Sequence, residues 1–250
     1  MVTERLGAPL PLQVRTKGNA FRAAFASAGA ADYPNLESRL AGILHPSERR
    51  YFCSLPAERR KVTYLLGRYA AKQALSLLLG EPDCSRIEIA SGVLDQPVVR
   101  YPASEPFDVS ISHTDAVACA IAFPALLPMA IDIEQIDRRR SEVMKTQILP
   151  YELDEAVRRG TAEESAPALV WTAKEALSKV LRCGLTCPFD LLAIDRIESG
   201  GRPSTGTFRH FGQYKFHSWI RGEVVATIVL PGVTVLETDL FRWLPGIEDL

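Results

Sequence analysis

Ala70-Ala71-Lys72-Gln73-Ala74-Leu75-Ser76 reads AAKQALS, and Thr172–Ser178 reads TAKEALS. Ala, Lys, Ala, Leu and Ser recur in register, while Gln73 becomes Glu175. Each copy lies in the C-terminal half of a strong helical pattern. In the first, Val62, Leu65, Leu66, Tyr69, Leu77 and Leu78 recur at helical spacing and predict a helix over Glu58–Leu79, stopped by Gly80 with Pro82 behind it. In the second, Leu169, Val170, Ala173, Ala176, Leu177, Val180 and Leu181 gather on one face of a helix over Pro167–Leu181. Downstream order repeats too: Ile89-Ala90-Ser91-Gly92 follows the first copy and Ile197-Glu198-Ser199-Gly200 the second. Good helix formers can recur by chance, but the matched order favours a duplicated unit.

Duplication predicts an α+β fold of two pseudo-symmetric lobes, each a small antiparallel sheet packed on a long helix, with a ligand cleft between them. Pro124 and Pro128 place the division so that the lobes are residues 1–124 and 125–250. In the first lobe, strands are expected at Ile87–Ala90 and Val98–Tyr101, with a hairpin over Val109–Phe123 turning at Thr114-Asp115. In the second, a strand at Ala130–Ile133 precedes helices at Ser141–Leu149 and Tyr151–Arg159 and strands at Leu191–Ile197, Gln213–Ile220 and Glu223–Leu230. The residues up to about position 40 are rich in Ala, Gly and Pro and show little period.

The 250 residues are 47% hydrophobic with a net charge of −1, enough to bury a core and too balanced for a chain that coats nucleic acid. No apolar run approaches the ~20 residues of a membrane helix, and MVTERLGAPLPLQ lacks the layout of a signal peptide. A soluble cytoplasmic protein is expected, partnering neither nucleic acid nor membrane. Cys53, Cys84, Cys119, Cys183 and Cys187 are odd in number and scattered. They are expected to be reduced and structural.

Trp171, Glu175, Ser178 and Lys179 fall opposite the apolar face of the second helix. A solvated face explains Glu175 and Lys179 as an i,i+4 pair but explains Trp171 poorly, so something covers this side. In Ile131-Asp132-Ile133-Glu134 the two acids share one face of a strand. Like charges so close suit either the wet face of an edge strand or a cation between them. With Glu175 as a third carboxylate, Asp132 and Glu134 form a candidate Mg²⁺ triad. On the first helix Lys61, Arg68 and Lys72 share a stripe with Arg60 beside it, either as snorkelling stems or as a phosphate-binding wall. Ser110 and Ser112 alternate with apolar neighbours in the SISH segment, ending at His113, and suggest an anion site.

Four motifs in order, the Pro56–Leu75 basic helix, SISH (Ser110–His113), AIDIE (Ala130–Glu134) and WTAKEALSK (Trp171–Lys179), resemble the 4′-phosphopantetheinyl transferases. The resemblance covers about Pro46–Asp190 and is nearest the two-lobed branch that activates siderophore synthetases. It implies transfer of the phosphopantetheine arm of coenzyme A to a serine of an acyl or peptidyl carrier protein, with release of adenosine 3′,5′-bisphosphate. It implies a first lobe on the coenzyme side and a second lobe carrying metal and catalysis. It implies Mg²⁺ on Asp132, Glu134 and Glu175, with Glu175 a possible base and Lys179 on the coenzyme's phosphates. His113 with Ser112, Arg60, Arg68 and, more weakly, Lys174 would hold the nucleotide end, and Lys72 belongs to the same basic helix. Ala130 replaces the usual glycine, and Gln96-Pro97 replaces a Lys-Pro or Glu-Pro, leaving one coenzyme contact unassigned. A chain with both lobes completes its own cleft, so a monomer is expected. A Mg²⁺-dependent phosphodiesterase acting on coenzyme A, and a module that binds coenzyme or carrier without turnover, are the competing classes. Arg138, Arg139 and Arg140 follow the acidic strand either as carrier-facing charges or as a solvated loop.

Overall fold

The computed structural model describes residues 8–198 and 203–244. The first seven residues and the Ser199-Gly200 end of the repeated downstream motif lie outside them. Chain order is β1 (Leu10–Arg15), β2 (Ala20–Gly29), α1 (Tyr33–Glu37), α2 (Leu40–Ile43), α3 (Pro46–Ser54), α4 (Glu58–Leu79), β3 (Glu88–Ser91), β4 (Pro97–Arg100), β5 (Phe107–His113) and β6 (Val117–Pro124). It continues with β7 (Ala130–Gln135), α5 (Arg138–Lys145), α6 (Pro150–Arg158), α7 (Ala166–Val180), β8 (Ile194–Glu198), β9 (Ser204–Phe208), β10 (Tyr214–Arg221), β11 (Val224–Pro231) and β12 (Val235–Leu236).

One antiparallel sheet runs β12-β1-β2-β6-β5, the other β7-β11-β10-β9-β8, and β3-β4 is a separate hairpin. The sheets face each other across one core and carry α4 and α7 on their outer faces. The central strands β6 and β11 show how sequence builds these layers. Val117, Cys119, Ile121 and Phe123 of β6 meet Val224, Ala226, Ile228 and Leu230 of β11 in the shared core. The alternate residues face the helices: Ala120 and Ala122 towards α4, Val225 and Val229 towards α7. Strands buried on both faces lose the polar alternation that marks a wet sheet. On α4 the buried residues include Ala70, Ala71 and Ala74, and Gly67 lies so close to β5 that an added Cβ would be 3.1 Å from Ile111. Gly80, at φ 66°, ends the helix in the left-handed region.

Each long helix is pinned by a buried ion pair built the same way. Lys72 and Lys174 are both fully buried. Lys72 Nζ lies 2.6 Å from Glu48 Oε2 and also donates to the carbonyls of Cys84 and Ile87. Lys174 Nζ lies 2.6 Å from Glu152 Oε2. Both glutamates sit in the first turn of a short helix behind a proline, Pro46 in α3 and Pro150 in α6. Glu48 accepts from the N–H groups of His45 (2.7 Å) and Ile89 (3.1 Å). Glu152 accepts from those of Leu149 (2.9 Å) and Ile194 (2.8 Å). Such buried charges persist because each carboxylate is saturated by donors. The clamp ties helix, preceding turn and following strand together in both halves of the chain.

Several expectations change. β1, β2 and β9 were not expected. β1 does alternate, with Leu10, Leu12 and Val14 buried, but Pro11 interrupts its reading as a strand. β2 is an Ala-rich strand buried on both faces, where small side chains let α4 approach. The second half, 125–250, does not stay on one side of the division: β12 returns to pair with β1, Val14 opposite Leu236. Glu237 N–H donates to Gln13 O, Asp239 accepts from Trp219 Nε1, and Leu240 and Leu244 enter the shared core. This covers the edge of β1 that would otherwise stay unpaired. Trp171 is covered, as its size required, by Phe189 with ring centroids 4.7 Å apart. The five cysteines are free, and no helix among the described residues is long and apolar enough to cross a membrane.

Candidate functional site

The two sheets meet edge to edge at β5 and β7, and serine hydroxyls stitch the seam. Ser110 Oγ accepts from Ile131 N–H at 3.1 Å and Ser112 Oγ accepts from Ile133 N–H at 3.2 Å. Ser112 Oγ donates to Asp132 Oδ1 at 2.7 Å. The expectation that Ser112 offers its hydroxyl to an anion is therefore corrected: the hydroxyl is spent on the opposite strand. Ile131 and Ile133 point into the shared core, so Asp132 and Glu134 face the α7 side. There α7 is held down by a hydroxyl chain, with Thr172 Oγ1 2.7 Å from Thr227 Oγ1 and Thr227 Oγ1 2.7 Å from Ser218 Oγ.

This places Lys179 and Glu175, one helical turn apart, against Asp132. Lys179 Nζ donates to Asp132 Oδ1 (2.7 Å), Ile131 O (3.1 Å) and Ile111 O (3.3 Å), using all three protons on both edges of the seam. Asp132 Oδ2 is buried without a hydrogen-bond partner. Glu134 Oε2 accepts from Arg140 Nη1 at 2.7 Å. Among the described residues the Glu175 carboxylate accepts no hydrogen bond. Burial and then the Asp132 charge push both Glu134 and Glu175 up to about 7; Arg140 and Lys179 oppose this at Glu134, and Lys179 does at Glu175.

The three carboxylates thus feel one another beside the seam. They are not gathered into a ligand set: among the described residues no group of three or more His, Cys, Asp or Glu side chains is arranged to hold a metal ion. Lys179 and Arg140 hold two of the three carboxylates instead. The donor chemistry nevertheless fits a hard divalent cation. An orphaned buried carboxylate oxygen, and two neighbours pushed towards neutrality first by burial and then by the Asp132 charge, are what an added positive charge would relieve.

Beside the seam lies a cavity of about 440 Å³ between α3, α4, the β5–β6 turn and α5. Arg59, Arg60, Arg68, Arg140 and His113 give it a basic wall. Arg60, Arg68 and His113 were expected on such a wall. Arg59 is held by Asp115 in a forked pair, with Nε at 2.9 Å and Nη2 at 2.7 Å from Oδ1. Arg68 stacks 4.8 Å above the Tyr64 ring, and its Nε lies 3.6 Å from Glu48 Oε1. Partial burial, then the Lys179 charge, lowers the His113 pKa. A second cavity of about 310 Å³ is lined by Gln96, Pro97, Ser110 and Lys179, and Ile111 lines both.

Two expected anion ligands are corrected. Lys72 and Lys174 do not face a phosphate: both are fully buried and held by Glu48 and Glu152. A mid-helix lysine reads as solvated, and the readable clue was the x-Pro-x-Glu sequence ahead of each helix, His45–Glu48 and Leu149–Glu152. Arg59 and Tyr64 were missed at this wall, and Arg140 was read only as a carrier-facing or solvated charge. No local motif marks them, because the turn and helix that bring them together are distant in sequence.

Residues 128–229, spanning β7 to β11 and including Asp132, Glu134, Glu175 and Lys179, match the family model described as ACPS, the 4′-phosphopantetheinyl transferase superfamily. No curated protein matches the chain. Solved structures similar to it include a Bacillus anthracis holo-(acyl-carrier-protein) synthase in complex with CoA (3′,5′-ADP), at 21% identity and TM-score 0.39 over 45% of this chain and 96% of that one. A Plasmodium yoelii holo-ACP-synthase follows at 19% identity and TM-score 0.37, covering 44% and 95%. A Neisseria meningitidis holo-[acyl-carrier-protein] synthase has 19% identity and TM-score 0.36, covering 41% and 95%.

Proposed function

We propose that this protein is a 4′-phosphopantetheinyl transferase, moving the phosphopantetheine arm of coenzyme A to a serine of an acyl or peptidyl carrier protein and releasing adenosine 3′,5′-bisphosphate. The observation that carries this reading is the meeting of Asp132, Glu134, Glu175 and Lys179 at the seam, next to a cavity walled by Arg60, Arg68 and His113. The family match over residues 128–229 supports it.

In this reading Arg60, Arg68 and His113 hold the nucleotide phosphates, since guanidinium forks suit phosphate oxygens. Asp132, Glu134 and Glu175 would hold Mg²⁺, which when bound neutralises charge on the pyrophosphate. The carrier serine oxygen attacks the β-phosphorus as the bond to the leaving bisphosphate breaks. Glu175, directly or through a water, takes the serine proton, a role typically worth ~10²–10⁴-fold. Lys179 supplies positive charge beside the leaving group. The chain acts as a monomer, since both edges of the seam come from one polypeptide. The resemblance of the four motifs to the siderophore-synthetase-activating branch makes carriers of siderophore, polyketide and nonribosomal-peptide assembly the first to test.

The test is intact-mass spectrometry of apo carrier proteins incubated with this protein, coenzyme A and Mg²⁺. A gain of one phosphopantetheine on the carrier serine is expected. No gain on any of several carriers contradicts the reading, and coenzyme A cleavage without a carrier points to hydrolysis instead.

A further inference from the structure

We propose that Arg140 couples occupancy of the basic cavity to occupancy of the carboxylate cluster. The inference rests on the reading above, in which the cavity takes the coenzyme's phosphates and Asp132, Glu134 and Glu175 take the cation. Among the described residues that line the cavity, Arg140 is the one drawn from beyond residue 124. It sits in the first turn of α5, whose N-terminus is fixed by Asp137 Oδ1 accepting from Arg140 N–H at 2.9 Å. From there the guanidinium reaches back to Glu134 Oε2 at 2.7 Å.

One group therefore touches both places. A guanidinium has five donors in a planar fork, and the one on Glu134 leaves others for an anion in the cavity. With the cavity empty, Arg140 neutralises Glu134 and competes with a cation for that carboxylate. An anion offers Arg140 a second partner and weakens its hold on Glu134. Each ligand then makes the other's binding more favourable, and the effect is reciprocal. The neighbouring Arg138 and Arg139 do not line the cavity, so the device depends on one position and not on the general charge of α5. Arginine suits it because its charge does not titrate away and its fork can serve two oxyanions at once.

The test uses the full chain and Mn²⁺, read by electron paramagnetic resonance as a stand-in for Mg²⁺, with and without adenosine 3′,5′-bisphosphate. Without nucleotide, Arg140→Gln should bind Mn²⁺ roughly three- to tenfold more tightly than wild type, the effect of removing a competing ion pair. Adding nucleotide should tighten Mn²⁺ binding in wild type, and that enhancement should shrink at least about threefold in Arg140→Gln. Arg140→Lys, which keeps charge but loses the fork, should fall between the two. Arg139→Gln removes the same charge one residue away and should change Mn²⁺ affinity less than about twofold. Wild-type Mn²⁺ affinity in Arg140→Gln, an undiminished nucleotide effect, or an equal response in Arg139→Gln overturns the coupling. A wild-type protein that binds both ligands with no dependence on Arg140 sinks only this inference. One that binds neither sinks the underlying function with it.

Discussion

In the first lobe Lys72 runs into Glu48, and the next residue, Gln73, turns its amide towards Cys84 Sγ at 3.5 Å. In the second, Lys174 runs into Glu152, and the next residue, Glu175, lies within the field of Asp132. Four residues on, the first copy has Leu77, which is exposed, and the second has Lys179, bonded to Asp132. The copies keep what folds the lobe: the buried lysine, its glutamate partner and the small residues packed on the sheet. They differ at two positions on the face α7 turns to the seam. In the first lobe the cations come from elsewhere on α4, from Arg60 and Arg68. The fold supplies two similar platforms, and Glu175 and Lys179 on α7, together with Asp132 and Glu134 on β7, make one of them a charged site.

The largest expected break in this comparison is at Asp132, which has no acidic counterpart facing α4. Asp132→Asn should lower transfer by at least roughly 10³-fold with an intact circular-dichroism spectrum. A loss under tenfold would remove it from the centre of the site. Next come the clamps, where the lobes should behave alike. Lys72→Met and Lys174→Met each leave a buried carboxylate unpaired and should cost about 3–5 kcal/mol by urea unfolding. Pairing each with its neutral partner, Glu48→Gln or Glu152→Gln, should recover part of the loss. A clamp that matters in one lobe only would break the structural equivalence.

Arg60→Gln tests the cation half of the comparison. It should raise the KM for coenzyme A about tenfold with little change in kcat, since it removes binding and not chemistry. The smallest effect concerns His217 in the second sheet. Burial and then the Lys215 charge lower its pKa to about 4, and its Nε2 is buried without a partner. An unfolded histidine titrates near ~6.5. Between these values the unfolded chain takes up a proton that the folded chain refuses, so stability is full above about pH 6.5 and falls as pH drops towards 4. His217→Phe should flatten this decline, reducing the loss of melting temperature between pH 7 and pH 5 by a few degrees.

The parts of the molecule with a clear period were legible from sequence. α4 spans the residues that its apolar spacing and Gly80 indicate, and the β5–β6 hairpin turns at the expected Thr114-Asp115. The shared face of Asp132 and Glu134 followed from strand alternation. What was not legible depended on partners far along the chain. β2 hides because alanines buried on both faces have no alternation. Lys72, Lys174 and Ser112 have the composition of solvated or ligand-binding residues, and only the docking of α3, α6 and β7 turns them inward. β12 is too short to announce itself, and its place is set by the open edge of β1.

The most direct test of the central claim compares Glu175→Gln with Gln73→Ala in the same transfer assay, at saturating coenzyme A and Mg²⁺. The matched positions should respond unequally: Glu175→Gln should lose activity by roughly 10³-fold or more, and Gln73→Ala should stay within about threefold of wild type. Equal losses in the two variants would contradict the assignment of chemistry to the second copy alone.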